Sequence, residues 1–220
     1  ELTGAARARA DEARLSVVRG AMALVRASEA RDPYTRGHSV RVAAYTRVLA
    51  DAYDPQGTLL DRERLELACQ LHDIGKIGVS DSVLNKHGPL EDKEMAAVRQ
   101  HPVVGRRILE PLLDDDLILA VVSWHHERWD GTGYPDRLQG ETIPLVARIV
   151  ALADNLDAMT CPRAYRDALD WNLAVQHLRS LSGTAFDPGV VRLLDAVAHR
   201  LESVHDEIPQ PLASVPGDNG

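Results

Sequence analysis

The chain has 220 residues, a formal net charge of −8 and an aromatic content of only 4%. This length suits one domain with an appendage, and the excess of carboxylates argues against a protein that coats nucleic-acid polymers. Apolar residues make up 45% of the sequence, the balance of a globular protein, so a core with few aromatic rings must be built from Leu, Val, Ile and Ala. No apolar run approaches the roughly 18 residues that a membrane-spanning helix needs.

The N-terminal segment, residues 1–30, is rich in Ala, Arg and Glu and carries apolar residues at helical spacing. Leu15, Val18, Met22 and Val25 form this stripe. Two interpretations fit it equally well: the first helix of the domain, or the end of a coiled linker from an upstream sensor or receiver domain. Because the chain does not begin with Met, we expect it to be cut from a longer protein, and we expect this helix to support a homodimer.

Helical periodicity dominates residues 31–205, which we predict to be a single domain. No segment alternates with a period of two over a useful length, so the expected fold class is all-α, a helical bundle without a sheet. Residues 126–143 read as a long loop because glycines and Pro135 interrupt the pattern. Residues 206–220 hold several prolines and are predicted to be a disordered tail. Predicted helices cover about 38–52, 61–75, 91–100, 102–109, 117–125, 144–159, 170–181 and 188–201.

Several histidines lie directly beside another residue that can bind a metal. His72 is followed by Asp73, and His125 by His126. Each residue alone is more typical of an ordinary core or surface position than of a ligand. Adjacent imidazoles, however, suit a low-dielectric interior poorly unless a cation organises them, and a buried aspartate needs a partner for its charge. Imidazole and carboxylate donors together favour Fe, Mn, Zn or Co. The candidate ligands are His38, His72, Asp73, His101, His125, His126 and Asp154.

The pair His72 and Asp73 predicts a site with two metal ions. Neighbouring helical residues point about 100° apart, so one pair can address two centres, with Asp73 as the bridging carboxylate. Two metals about 4 Å apart, sharing a hydroxide, form a standard clamp for phosphoester hydrolysis. Lys76 lies three residues after Asp73 and faces the same way, where it would hold a phosphate oxygen. Its structural alternative is a partner for the dipole at the C-terminus of its helix.

The sequence resembles a known family. The run HDIGK at residues 72–76 resembles the first signature of the HD-GYP group of HD-domain phosphohydrolases, and HHERWDGTGYP at residues 125–135 resembles the second. Three flanking runs also match the group: DPYTRGHS, DNLDAMT and FDP, which begin at residues 32, 154 and 186. The resemblance extends from about residue 32 to 199, most of the chain. The long second signature, in the right order and spacing, is specific.

The resemblance implies a helical HD-domain bundle with a metal site between its helices. It implies hydrolysis of cyclic di-GMP to linear pGpG, with iron or manganese as the metal. Lys76 would hold a phosphate oxygen, and Arg163 and Arg166 match positions that carry phosphate-binding residues in the group. Carried over by position, one metal takes His38, His72, Asp73 and Asp154, and the second takes Asp73, His101, His125 and His126.

One position departs from the group. Some members bind a third metal through a glutamate four residues before the first ligand histidine, and Tyr34 stands there in this chain. A phenol is a poor ligand for this purpose, so we predict two metals and pGpG as the main product. Tyr134 would stack on guanine or plug the core beneath its loop. Three carboxylates are expected to orient ligand imidazoles: Glu127, Asp130 and Asp157. The alternative for Glu127 and Asp130 is that they cap or solvate the loop.

Partners and location follow as expectations. The substrate is cyclic di-GMP, a diguanylate cyclase-type protein is expected to bind the loop of the second signature, and no nucleic-acid polymer or membrane contact is expected. Cys69 and Cys161 form no disulfide framework, which is typical of the cytoplasm. Two alternatives stay open: a catalytically weak module that binds cyclic dinucleotides or proteins, and an HD-type hydrolase of other nucleotides.

Overall fold

The structure, a computed structural model, describes residues 4–31, 37–86, 88–162 and 167–209. Over these ranges the fold is all-helical, as predicted, and one isolated bridge joins Ser182 to Phe186. None of the helices described is long and apolar enough to cross a membrane. The helices are α1 (Gly4–Arg31), α2 (His38–Tyr53), α3 (Arg62–Leu71), α4 (Asp81–Leu84), α5 (Asp92–Val98), α6 (His101–Leu109), α7 (Asp116–Trp124), α8 (Leu145–Thr160), α9 (Trp171–Ser180) and α10 (Pro188–Glu207), with 3₁₀ helices at Ile74–Gly78 and Gly140–Thr142.

Aspartate side chains begin several of these helices. Asp61 accepts hydrogen bonds from the backbone N–H groups of Glu63 and Arg64 at the start of α3. Asp187 accepts one from Gly189, and Pro188 occupies the first position of α10, where its missing N–H costs no hydrogen bond. Helix α10 then continues to Glu207, beyond its predicted end at residue 201.

The core is aliphatic, as the low aromatic content requires. It is formed by the facing sides of α2, α3, α7, α8 and α10, whose buried residues belong to one cluster. Leu49, Leu152 and Leu194 are fully buried members from three of these helices. Burial of an aliphatic side chain contributes about 1.5–3 kcal/mol, so this cluster fixes the helices that carry the candidate ligands.

Helix α3 ends earlier than predicted. It stops at Leu71, and the chain continues as the 3₁₀ helix Ile74–Gly78. At Gly75 an added Cβ would lie only 1.9 Å from the carbonyl oxygen of His101. The missing side chain therefore lets this 3₁₀ helix pack directly on the start of α6, a close contact that helical periodicity does not encode.

The C-terminal half of α1 packs on the domain. Val25 is buried, and Val18 and Met22 of the predicted stripe are half-buried against the core. At the end of α1, the Arg31 guanidinium donates to Asp81 at 2.7 Å and to the carbonyl oxygen of Val79 at 2.9 Å. These contacts tie α1 to the segment that follows Lys76.

Candidate metal centre

Asp73 lies at the centre of a histidine cluster and directs its two oxygens to different sides. Its Oδ2 is 3.4 Å from His72 Nε2 and 3.6 Å from His38 Nε2. Its Oδ1 is 3.3 Å from His101 Nε2 and has no hydrogen-bond partner. A buried carboxylate oxygen without a partner is costly, so this arrangement calls for a cation.

The first group of donors lies around Asp73 Oδ2. His38, His72 and Asp73 present ligand atoms within 4.8 Å of one another. Asp154, from α8, adds a fourth donor, because its Oδ1 is 3.2 Å from His38 Nε2 and 4.0 Å from His72 Nε2. These donors come from α2, from the end of α3 and from α8, so the fold assembles the group between helices.

The second group lies around Asp73 Oδ1. His101, His125 and His126 join Asp73 with ligand atoms within 4.8 Å of one another. His101 begins α6, and the two adjacent histidines end α7. The two groups therefore share one residue, Asp73, which matches the predicted bridging role.

Backbone carbonyls fix the tautomers of three histidines. The Nδ1 atoms of His72, His101 and His125 lie 2.6, 2.8 and 2.9 Å from the carbonyl oxygens of Cys69, Val98 and Val121, respectively. A carbonyl only accepts, so each Nδ1 carries the proton and each Nε2 offers a lone pair.

The consequence is clearest where two of these lone pairs meet. His101 Nε2 and His125 Nε2 are 3.2 Å apart. Burial lowers the pKa of His101 to about 4 and the pKa of His125 well below its ordinary value, so neither ring takes a second proton at neutral pH. The pKa of His126 is lowered by burial to about 3. Facing lone pairs repel each other unless a cation lies between them, and these residues therefore fit a metal ion.

His38 is held by a carboxylate. Its Nδ1 is 2.7 Å from Asp157 Oδ2, and Arg41 Nε donates to Asp157 Oδ1 at 2.6 Å. Burial lowers the pKa of His38, but hydrogen bonds with Asp154 and Asp157 outweigh it and raise that pKa to about 9. The surroundings of His38 thus favour a positive charge at Nε2, which a metal ion would supply.

The electrostatics of the carboxylates agree with this. Burial alone would raise the pKa of Asp73 and Asp154, but neighbouring Lys76 and the imidazoles hold the pKa of Asp73 well below its usual range. His38 does the same for the pKa of Asp154. Both side chains therefore stay ionised, as metal ligands must.

Lys76 contacts the bridging carboxylate. Its Nζ donates to Asp73 Oδ2 at 2.6 Å. The predicted proximity of the two residues is observed, although it comes from the 3₁₀ helix rather than from a continuous α-helix. The side chain of Lys76 is 22% exposed, so it remains accessible beside the cluster.

Two of the three carboxylates expected to orient imidazoles make other contacts. The Glu127 carboxylate accepts from the backbone N–H of Asp136 at 2.7 Å. Asp130 binds Arg128 and Thr132 at 2.9 and 2.6 Å. These two side chains hold the loop of the second signature together, and Asp157 is the one that contacts a candidate ligand, His38.

Tyr134 packs against the cluster instead of beneath the loop. Its ring stacks on His126 with centroids 4.8 Å apart, and the Arg99 guanidinium lies 5.5 Å from the centroid of the same ring. Both contacts place the Tyr134 ring beside the second group of donors. Three residues that bear on predicted roles, Tyr34, Arg163 and Arg166, lie outside the described residues.

The sequence interpretation missed two arginines near the site. Arg41 is fully buried against Asp157, and Arg99 reaches the ring that stacks on His126. Arg41 lies three residues after His38 on α2, a spacing that places both on one helix face and could have indicated the contact. No pattern in the sequence links Arg99 to Tyr134.

The family of the chain follows from a comparison of its sequence with family models. The model described as HD domain matches residues 24–190, most of the chain. The chain belongs to the HD domain family. Its two signatures and its relatives place it in the HD-GYP group. The matched region begins inside α1, so the end of that helix is part of the HD domain match.

Curated relatives extend this HD domain result. The chain is 40% identical over 190 residues to a cyclic di-GMP phosphodiesterase of Vibrio cholerae, a match covering 80% of this chain and 39% of that protein. It is 37% identical over 183 residues to 3'3'-cGAMP-specific phosphodiesterase 3 of the same species, covering 82% and 39%. The chain thus spans about two fifths of the length of these relatives.

Solved structures support the HD fold. The L. monocytogenes phosphodiesterase PgpH HD domain, in complex with cyclic di-AMP, superposes with a TM-score of 0.59 at 17% identity. This match covers 85% of the present chain and 99% of the PgpH chain. At this identity the likeness concerns the helical architecture.

Proposed function

We propose that this HD domain is a metal-dependent phosphodiesterase that hydrolyses cyclic di-GMP, mainly to linear pGpG. The observation that carries the proposal is the pair of donor groups that share Asp73 through its two separate oxygens. Such a shared carboxylate suits two metal ions, the arrangement used for phosphoester hydrolysis. The relative named cyclic di-GMP phosphodiesterase, 40% identical, supports the choice of substrate.

The donor set suits two transition-metal ions, with iron or manganese as our assignment. Imidazole and carboxylate ligands in mixed groups favour such ions over Mg²⁺ or Ca²⁺, which take oxygen donors. When bound, the two ions would supply Lewis acidity for hydrolysis of a phosphodiester. One would be held by His38, His72, Asp73 and Asp154, and the other by Asp73, His101, His125 and His126.

The protein's own groups have defined tasks in this reaction. Lys76 lies beside Asp73 and is partly exposed, so it is placed to donate to an oxygen of the reacting phosphate as negative charge develops there. The carbonyls of Cys69, Val98 and Val121 keep three imidazoles in the tautomer that ligation needs. Asp157 does the same for His38 and stabilises its orientation.

The finer assignments rest on the sequence. Tyr34, in place of a glutamate that binds a third metal in some members, favours two ions and pGpG as the main product. Arg163 and Arg166 remain our proposed residues for positioning the phosphate that is not cleaved. We also retain as proposals a homodimer through α1, a cyclase-type partner at the loop of the second signature, and a cytoplasmic location.

The test is hydrolysis of cyclic di-GMP by protein loaded with Mn²⁺ or Fe²⁺, with products separated by chromatography. His72→Ala and Asp73→Ala should abolish turnover, because each removes a donor that no neighbour replaces. His177→Ala, at an exposed position of α9, is the matched control and should keep the activity of the wild type. Equal turnover by all three variants would refute the assignment of the site.

A panel of other substrates separates the alternatives. The chain also resembles a phosphodiesterase named for 3'3'-cGAMP, so that dinucleotide belongs in the panel with cyclic di-AMP and nucleoside triphosphates. Tight binding of cyclic di-GMP without product would indicate a binding module. Faster hydrolysis of a nucleoside triphosphate would indicate a different HD-type hydrolase.

A further inference from the structure

An open groove begins at the second group of donors and runs between α5, the start of α6 and the loop of the second signature. Its volume is about 890 Å³, and His126 and Tyr134 line it on the side of the cluster. This size and position suit a ligand that extends beyond a single phosphate.

The groove is positively charged although the chain as a whole is negative. Its lining includes Arg99, Arg128 and Arg137 against one acidic residue, Asp92. Arg128 is already paired with Asp130 at 2.9 Å. Arg99 and Arg137 make no ion pair with a carboxylate in the part of the chain that the structure describes. Among the described residues, Arg99 and Arg137 therefore line, without a carboxylate partner, a groove that leads to the second group of donors.

Arg99 is the one that is held in place. Its guanidinium lies 5.5 Å from the ring centroid of Tyr134, a cation–π distance, and that ring in turn stacks on His126. It also lies two residues before His101, whose Nδ1 is anchored to the carbonyl oxygen of Val98. Both connections fix Arg99 relative to the second group of donors.

We infer that Arg99 also binds the phosphodiester group of the substrate that is not being cleaved, an inference that rests on the proposed function. A cyclic dinucleotide carries two phosphodiesters, each with one negative charge. Lys76 lies at Asp73 and serves the phosphate at the cluster, whereas Arg99 lies against the Tyr134 ring in the lining of the groove. Arg99 is thus displaced from the reacting phosphorus into the groove, where the rest of the ring of the substrate must lie.

The experiment compares KM and kcat for cyclic di-GMP in metal-loaded wild type, Arg99→Met, Arg99→Lys and Arg106→Met. Methionine keeps an apolar stem against Tyr134 but removes the charge. Arg106 is the matched control, because its guanidinium also lies over an aromatic ring, Trp124, at 5.9 Å, on another surface. We expect Arg99→Met to raise KM about 10- to 100-fold with little change in kcat, the effect of losing one hydrogen bond to a charged group.

Arg99→Lys distinguishes a phosphate contact from recognition of a base. Lysine keeps a positive charge for a phosphate but lacks the planar fork that reads the edge of guanine. A KM between those of wild type and Arg99→Met supports the inference. The inference is overturned if Arg99→Lys is as impaired as Arg99→Met, if kcat falls while KM holds, or if Arg99→Met behaves like Arg106→Met.

Failure of the proposed function gives a different result. If wild type does not hydrolyse cyclic di-GMP, calorimetry measures the equilibrium dissociation constant of cyclic di-GMP for each of the same four proteins. Weaker binding by Arg99→Met alone then supports the role of Arg99 although the proposed activity is wrong. Absence of binding by wild type overturns both.

Discussion

Replacing Asp157 with asparagine tests whether the buried carboxylate behind His38 matters for both folding and metal binding. Asp157 lies between two buried groups, accepting from Arg41 Nε at 2.6 Å and lying 2.7 Å from His38 Nδ1. The side chain of Arg41 is completely buried. Asparagine has nearly the same shape but removes the negative charge, so the guanidinium loses its buried ion pair with Asp157.

The magnitude follows from the burial of this pair. Removing one partner of a buried ion pair costs about 3–5 kcal/mol. The carbonyl oxygen of Pro209 still accepts from Arg41 at 3.3 Å, so we expect the lower end, about 3 kcal/mol. For a protein of this size, that free-energy loss lowers the melting temperature by about 6–12 °C. The metal affinity of the group that contains His38 should fall about 10- to 100-fold, because the imidazole loses the partner that orients it.

The assay is thermal unfolding of the apo protein by circular dichroism, followed by titration with Mn²⁺. Asp195→Asn is the matched control, since Asp195 pairs with Arg179 at 2.8 Å on the surface, where the two side chains are 70% and 48% exposed. That substitution should cost at most about 1 kcal/mol. Equal losses of melting temperature in the two variants would refute the energetic reasoning, and an unchanged Mn²⁺ affinity in Asp157→Asn would refute the role in orienting His38.

Three further outcomes are expected. Gly75→Ala should destabilise the fold by about 3 kcal/mol in urea unfolding, because the added Cβ would meet backbone atoms. Gly78→Ala should not, since the atom nearest to the added Cβ would lie 3.5 Å away. Burial raises the pKa of Asp54, but backbone N–H donors from Leu59, Leu60 and Thr58 outweigh it and lower that pKa to about 2. Stability from Asp54 is therefore present above pH 3.8 and lost as the pH falls towards 2, and Asp54→Asn should remove this part of the dependence of the urea midpoint on pH. Metal at a hundred times its dissociation constant should stabilise the wild type by about 2.7 kcal/mol, seen as a higher melting temperature than after chelation, and this rise should shrink in His125→Ala.

The composition of the cluster could be predicted because adjacent residues carry most of the signal. The pairs at residues 72–73 and 125–126 indicate a cation without any knowledge of the fold, and the structure brings both to the same place. Distant single residues are harder, since His38, His101 and Asp154 each resemble ordinary helix residues when taken alone. Their assignment to one metal or the other depended on the family resemblance.

Contacts between backbone segments could not be predicted from the sequence. The early end of α3 depends on the fit of Gly75 against His101, and nothing in helical periodicity reports how closely two segments pass. Asp130 is followed by Gly131 and Thr132, a pattern typical of a local turn in which the aspartate accepts from residues just after it, and the structure shows these contacts.

The structure also bears on the two interpretations of the N-terminal helix. Near the end of α1, Glu29 accepts from Ser39 Oγ at 2.6 Å, so it holds the residue next to His38. Two residues later, Arg31 donates to the carbonyl oxygen of Val79, just past the 3₁₀ helix that carries Lys76. A small cavity between α1 and the cluster, about 20 Å³, is lined by Glu29 and Lys76 among others. One short stretch of α1 therefore contacts both the segment that carries His38 and the segment that carries Lys76. A displacement of this helix would alter the contacts of both segments. The end of α1 thus contacts the candidate metal centre, whether or not its N-terminal half continues into a linker.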